Sequence, residues 1–128
     1  MKLLLDTHTF LWFIMGSHNL SADARALIED AANEKFVSVA SLSEIAIKLS
    51  IGKLTLSAPF DVSIPQQLNL NGFELLNIEI EHAAVVATLP FHHRDPFDRL
   101  LIAQAAVEKM SVVSIDTVFD AYPITRLW

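Results

Sequence analysis

Cysteine is absent from this 128-residue chain. That excludes disulfides and any thiolate-rich zinc site, and makes the cytoplasm the default compartment. Glycine and proline are few, at three and five residues, and no linker, repeat or low-complexity tract appears. No apolar run approaches the roughly 18–20 residues that a membrane span needs; the longest candidate, "FLWFIM", ends at Gly16. The start "MKLLLD" carries no cleavage site and reads as a strand, not a signal peptide. Basic residues are also short, nine against fifteen acids, for a net charge of −6. A mainly electrostatic, non-specific nucleic-acid binder is thereby excluded.

What the chain has in excess is apolar residues, 52% of the total with a mean hydropathy of +0.41. A chain of this length is expected to form one domain, residues 1–128, burying roughly two-thirds of its unfolded surface. The apolar surplus then suggests further burial, against a second copy or a protein partner.

Strand-like runs alternate with helical patterns, which predicts an α/β domain with a mainly parallel sheet. Strands are expected at Lys2–Leu5, Phe36–Val39, Phe73–Leu76 and Val112–Ile115, with "YPITRLW" as a final edge strand. Helices are expected from Thr9 to Met15 and over "LSADARALIEDAANE", with Ser21 as N-cap and Ala22, Leu27, Ile28 and Ala31 toward the core. Further helices are expected at Ser41–Ser50 (closed by Gly52), Asp61–Leu70 with Pro65 near its first turn, Glu79–Leu89 and Pro96–Lys109, and a helical turn after Asp116.

Four acids stand where strand gives way to helix. Asp6 ends "MKLLL", Asp116 ends "SVVSI", Glu44 lies in the first turn of "SLSEIAIKL", and Asp98 in the first turn of "DPFDRLLIAQAAVEK". In a parallel sheet all four gather at the edge formed by the strands' carboxyl ends, where α/β ligand crevices lie. Each has a plainer explanation as well. Asp6 and Asp116 fit as N-caps, "SLSE" reads as a capping box of Ser41 and Glu44, and Asp95 caps the helix that Pro96 opens. Capping alone needs no charge, however, and unpaired carboxylates at one edge repel unless a cation sits among them. Hard oxygen ligands of this kind suit Mg2+ or Mn2+. A metal site neutralises these acids, so the net charge does not exclude a phosphodiester substrate.

The segments "LLLDTHTFLW", "SLSEIAIK", "HRDPFDRLLIAQA" and "SIDTVFDAYPI" resemble the PIN-domain nucleases, above all the VapC-type toxins of bacterial toxin–antitoxin pairs, over essentially the whole chain. The resemblance implies a three-layer α/β/α fold with sheet order 3-2-1-4-5. It also implies a Mg2+-dependent endoribonuclease that cleaves RNA, an inhibitory antitoxin and a homodimer. Position by position it assigns Asp6, Glu44, Asp98 and Asp116 as the catalytic and metal-binding acids. Asp98 is preferred to Asp95 on its spacing to "IAQA", and Ser114 matches a small hydroxyl residue that orients a ligand water.

Secondary candidates are His8, beside Asp6, which could reach a substrate or make a structural hydrogen bond at the helix start, and Arg94 and Arg99, which flank the long helix and could hold RNA phosphates, Arg99 equally fitting as the partner of a nearby acid. His92 and His93 fall in a loop and read as solvated. Lys48 reads as an ordinary helical partner of Glu44, and Phe10, Trp12 and Phe13 as core or dimer surface. A receiver domain, a haloacid-dehalogenase-like phosphatase and an inactive PIN scaffold are the alternatives. A receiver needs an acidic pair after its first strand, and the phosphatase needs an Asp two residues after the first; here Thr7 and His8 follow Asp6.

Overall fold

In the computed structural model, which describes residues 1–128, five strands form one sheet. They are β1 (Lys2–Leu5), β2 (Glu34–Ser38), β3 (Phe73–Leu76), β4 (Ser111–Val113) and β5 (Arg126–Leu127). Their order is β3-β2-β1-β4-β5 and every pairing is parallel. The helices are α1 (Thr7–Met15), α2 (Ala22–Glu29), α3 (Val39–Ser50), α4 (Phe60–Asn71), α5 (Ile80–Thr88) and α6 (Pro96–Glu108), and a 3-10 turn spans Thr117–Ala121.

The middle strand explains why its sequence is apolar without alternation. Leu3, Leu4 and Leu5 are all fully buried because the sheet is covered on both faces. With side chains alternating along a strand, Leu3 and Leu5 join Phe10 and Leu11 of α1, Ala24 and Ile28 of α2 and Ile64 of α4 on one face. Leu4 joins Leu101, Ile102 and Ala105 of α6 and Phe119 of the 3-10 turn on the other. The three-layer arrangement follows. Helix α3 belongs to both sides, giving Ala40 to one core and Ile45 to the other while packing against α1 and α6. That crossing position sets Glu44 between the layers.

Several boundaries differ from the sequence expectation for local reasons. Helix α1 starts at Thr7, not Thr9, because Asp6 is already an extended N-cap whose carboxylate accepts from the Thr9 N–H. Helix α3 starts at Val39, capped by Ser38 through the Ala40 N–H, so the expected capping box of Ser41 and Glu44 does not form. Helix α2 stops at Glu29, where Asp30 accepts from the Ala32 N–H. Ala22 and Ala31 are consequently exposed, and Ala24 and Ile28 do the packing. Pro65 lies inside α4, past the first turn. Gly52 takes its expected place after α3, with φ +74 and its N–H on the Leu49 carbonyl. Strand β4 ends at Val113; the Ser114 hydroxyl accepts from the Asp116 N–H and turns the chain out of the sheet.

Candidate metal centre

Asp6 leaves the end of β1 as the N-cap of α1, so one carboxylate serves two elements. Its Oδ1 accepts from the Thr9 N–H at 2.9 Å, and its Oδ2 accepts from the Ser114 hydroxyl at 2.5 Å. Both residues are buried. Each carboxylate oxygen keeps a further lone pair for another partner.

Glu44 sits one turn deeper in α3 than expected. Its Oε1 accepts from the Thr7 hydroxyl at 2.7 Å, which also shares a bond with the Ser41 hydroxyl at 3.0 Å. Lys48 stands 2.8 Å from its Oε2. The expected ion pair is therefore present, and it neutralises one of the four acids at the edge.

Asp95 caps α6, its Oδ1 accepting from the N–H groups of Phe97 and Asp98, with Pro96 at the first helical position. This leaves the Asp98 carboxylate free of capping. Burial raises its pKa from the ordinary 3.8 to about 7, with the Asp95 charge next in weight. His93 pulls the other way, and Asp6 and Glu44 add smaller upward pushes. At Asp98 burial thus outweighs the repulsion inferred from the sequence.

Asp116 follows β4 and caps the 3-10 turn, with Oδ1 accepting from the Val118 N–H. Its Oδ2 lies 2.8 Å from His93 Nε2, and Asp98 Oδ2 is 3.2 Å from the same nitrogen. Ligand atoms of His93, Asp98 and Asp116 all fall within 4.8 Å of one another, a spacing one cation could span.

The donor set fits a divalent cation. Asp6, Asp98 and Asp116 offer hard oxygens, and Asp98 is a partly buried carboxyl group whose charge is disfavoured by three neighbouring acids.

Of the secondary candidates, Arg99 is misplaced in the sequence reading. It is buried, and its guanidinium donates to the carbonyls of Val86, Leu89, Pro90 and His93. It also stacks 3.9 Å from the centre of the Phe91 ring. Both terminal nitrogens are thus spent on backbone carbonyls, and no acid is its partner. Arg94 and His8 are exposed, and His8 lies against Trp12, which in turn packs on Trp128. Ser114 binds Asp6 and the Asp116 backbone, so it positions two acids directly. His92 is exposed as expected, but His93 is not a solvated loop residue. The signal for it was available: the loop entering α6 must lie at the same edge as the helix start it feeds.

The sequence model of the PIN domain matches residues 3–124. The chain belongs to the PIN-domain family. No curated protein is similar enough in sequence to count as a match. Among solved structures, the PIN domain is similar to DNA-bound VapBC from Salmonella typhimurium, at a TM-score of 0.73 and 17% identity over 99% of this chain and 97% of that one. VapBC2 from Rickettsia felis, bound to a DNA fragment from its promoter, gives 0.71 at 14% identity over 99% and 98%. A toxin–antitoxin complex from Klebsiella pneumoniae gives 0.64 at 15% identity over 98% and 96%. Similarity at such identities establishes the fold, and it agrees with the strand order found here.

Proposed function

We propose that the protein is a Mg2+-dependent endoribonuclease and the toxin of a type II toxin–antitoxin pair. The observation carrying this reading is the convergence of Asp6, Glu44, Asp98 and Asp116 at one sheet edge, where burial and neighbouring acids disfavour the Asp98 charge. Membership of the PIN-domain family and the toxin–antitoxin character of the Klebsiella neighbour support it. The partners are RNA, a cognate antitoxin protein and a second copy of the chain, and the site of action is the cytoplasm. No helix is long and apolar enough to cross a membrane.

Asp6, Asp98 and Asp116 would hold the cation, Mg2+ or Mn2+. A bound divalent ion supplies an acidified water and neutralises charge on the phosphoryl oxygens. Ser114 keeps the Asp6 carboxylate turned toward the site. Glu44, held by Thr7 and Lys48, would serve as a further ligand or orient the attacking water from the α3 side. Arg94 and His8, both exposed near the acids in sequence, are the residues left to meet the RNA backbone.

Attack by water leaves a 5′-phosphate and a 3′-hydroxyl. Purified protein with RNA and Mg2+ should yield those ends and stop in EDTA; a 2′,3′-cyclic phosphate would refute the mechanism. Induced expression should arrest growth, and Asp6→Asn should relieve the arrest while the protein remains folded by circular dichroism. An Asp6→Asn protein as active as wild type removes the metal site from consideration.

A further inference from the structure

His93 is fixed at every polar atom it has. Its N–H donates to the Tyr122 hydroxyl oxygen at 2.8 Å, and that hydroxyl donates to the Pro90 carbonyl. Its carbonyl accepts from Arg99 at 3.2 Å. The ring packs against Phe119, with centroids 5.7 Å apart. On the ring, Nδ1 accepts from the Asp95 N–H at 3.2 Å, while Nε2 faces Asp116 Oδ2 at 2.8 Å and Asp98 Oδ2 at 3.2 Å.

This network assigns the proton. A ring nitrogen that accepts from a backbone N–H carries no hydrogen, so the neutral ring carries its hydrogen on Nε2, where the Asp116 carboxylate accepts it and the Asp98 carboxylate stands alongside at 3.2 Å. A protonated Nε2 has no in-plane lone pair to give a cation. The surroundings therefore make His93 a donor to the acids, although its position alone would pass for that of a ligand.

We infer that His93 is a positioning residue: a neutral Nε2–H donor that draws Asp116 against Asp98 and is not itself a metal ligand. Asp116 needs such a tie. It sits on a short 3-10 turn with its side chain 35% exposed, while Asp98 rides on α6. Two like charges on separate elements drift apart unless a donor lies between them. Tyr122 and Arg99 hold the His93 backbone still, and the Asp95 that caps α6 also sets the tautomer through its own N–H.

The inference rests on the metal-dependent reading for what the two carboxylates are held to do, but its first test needs no metal. In EDTA at about pH 8, where an unperturbed imidazole is neutral, long-range proton–nitrogen spectra of the full chain should place the His93 hydrogen on Nε2. Asp116→Asn should shift that signal. A ring with its hydrogen on Nδ1 overturns the inference. Calorimetric titration of Mg2+ then reads the consequence. Loss of a group that orients a metal ligand weakens binding by about 10–100-fold, the effect expected of His93→Ala. His93→Gln, whose amide can donate from nearly the same place, should restore most of the affinity. Adding Asp116→Asn to His93→Ala should cost little more, since the two act as a unit. A Gln variant as weak as Ala, or an Ala variant as tight as wild type, overturns the proposal. Wild-type protein that binds no Mg2+ defeats the proposed function instead, and the tautomer still decides the role of His93.

Discussion

Asp98 ties the site to pH. Its folded-state pKa of about 7 lies above the ordinary 3.8, so the folded state holds the proton more tightly than the unfolded one. Its contribution to stability is present in full below the unfolded value and is lost as pH rises through about 7. Metal-free wild type should therefore lose melting temperature between about pH 5 and about pH 8 relative to Asp98→Asn, which has no charge to bury. A difference between the two proteins that stays constant over that range would argue against the strained carboxylate. Mg2+ should stabilise more as pH rises, because the cation competes with the proton for the same oxygens. The gathering of the acids at one edge was legible in the sequence because strand ends and helix starts are local signals. The surroundings of His93 and Arg99 were not. A long cationic or imidazole side chain takes whichever partner the fold brings near, and neither the end of α5 nor the Tyr122 hydroxyl lies close to them in sequence.

At the scale of elements, Arg99 acts as a clasp between α6 and the end of α5. Orphan carbonyls at a helix C-terminus need donors, and here one planar guanidinium serves four from different residues. Arg99→Lys keeps the charge but has no fork. It should cost at least about 2 kcal/mol in urea unfolding through buried carbonyls left unpaired. An Arg99→Lys protein as stable as wild type would remove the clasp. The start of α3 gives a second expectation. Ser38→Ala should cost about 1 kcal/mol, the usual value of a serine cap, since Ser38 and not Ser41 caps the helix. The sequence reading took Ser41 as the cap and left Ser38 inside the strand. What decided between them was β2, which runs to Ser38 in register with Leu76 of β3 and leaves no residues for a longer connection. Helices with a strong apolar stripe and a clear stop, such as α1 ending at Gly16 and α6 opening at Asp95–Pro96, could be read directly.

The whole molecule is organised around β1, whose leucines feed both cores. Unfolding in urea should accordingly be a single transition, and Leu4→Ala, at the centre of the sheet, should shift all of it by about 2–5 kcal/mol. Two separate transitions would instead divide the chain into independent halves. The apolar surplus of the sequence is only partly spent inside: Ile80, Phe91 and Leu70 are at least 75% exposed. That leaves surface for the protein partners proposed above.

The parallel sheet also has a consequence in time. Asp6 and Ser114, bonded in the folded protein, are 108 residues apart in the chain. During synthesis β1 is among the first segments made, yet it must wait for β4 before its second neighbour exists. Pairing over such distances is slow, because the loop must close before any contact rewards it. A nascent chain stopped before Ser111 has no β4, no β5 and no Asp116, and so cannot close the sheet around Asp6. The edge is therefore complete only once Ser114 has folded back onto Asp6.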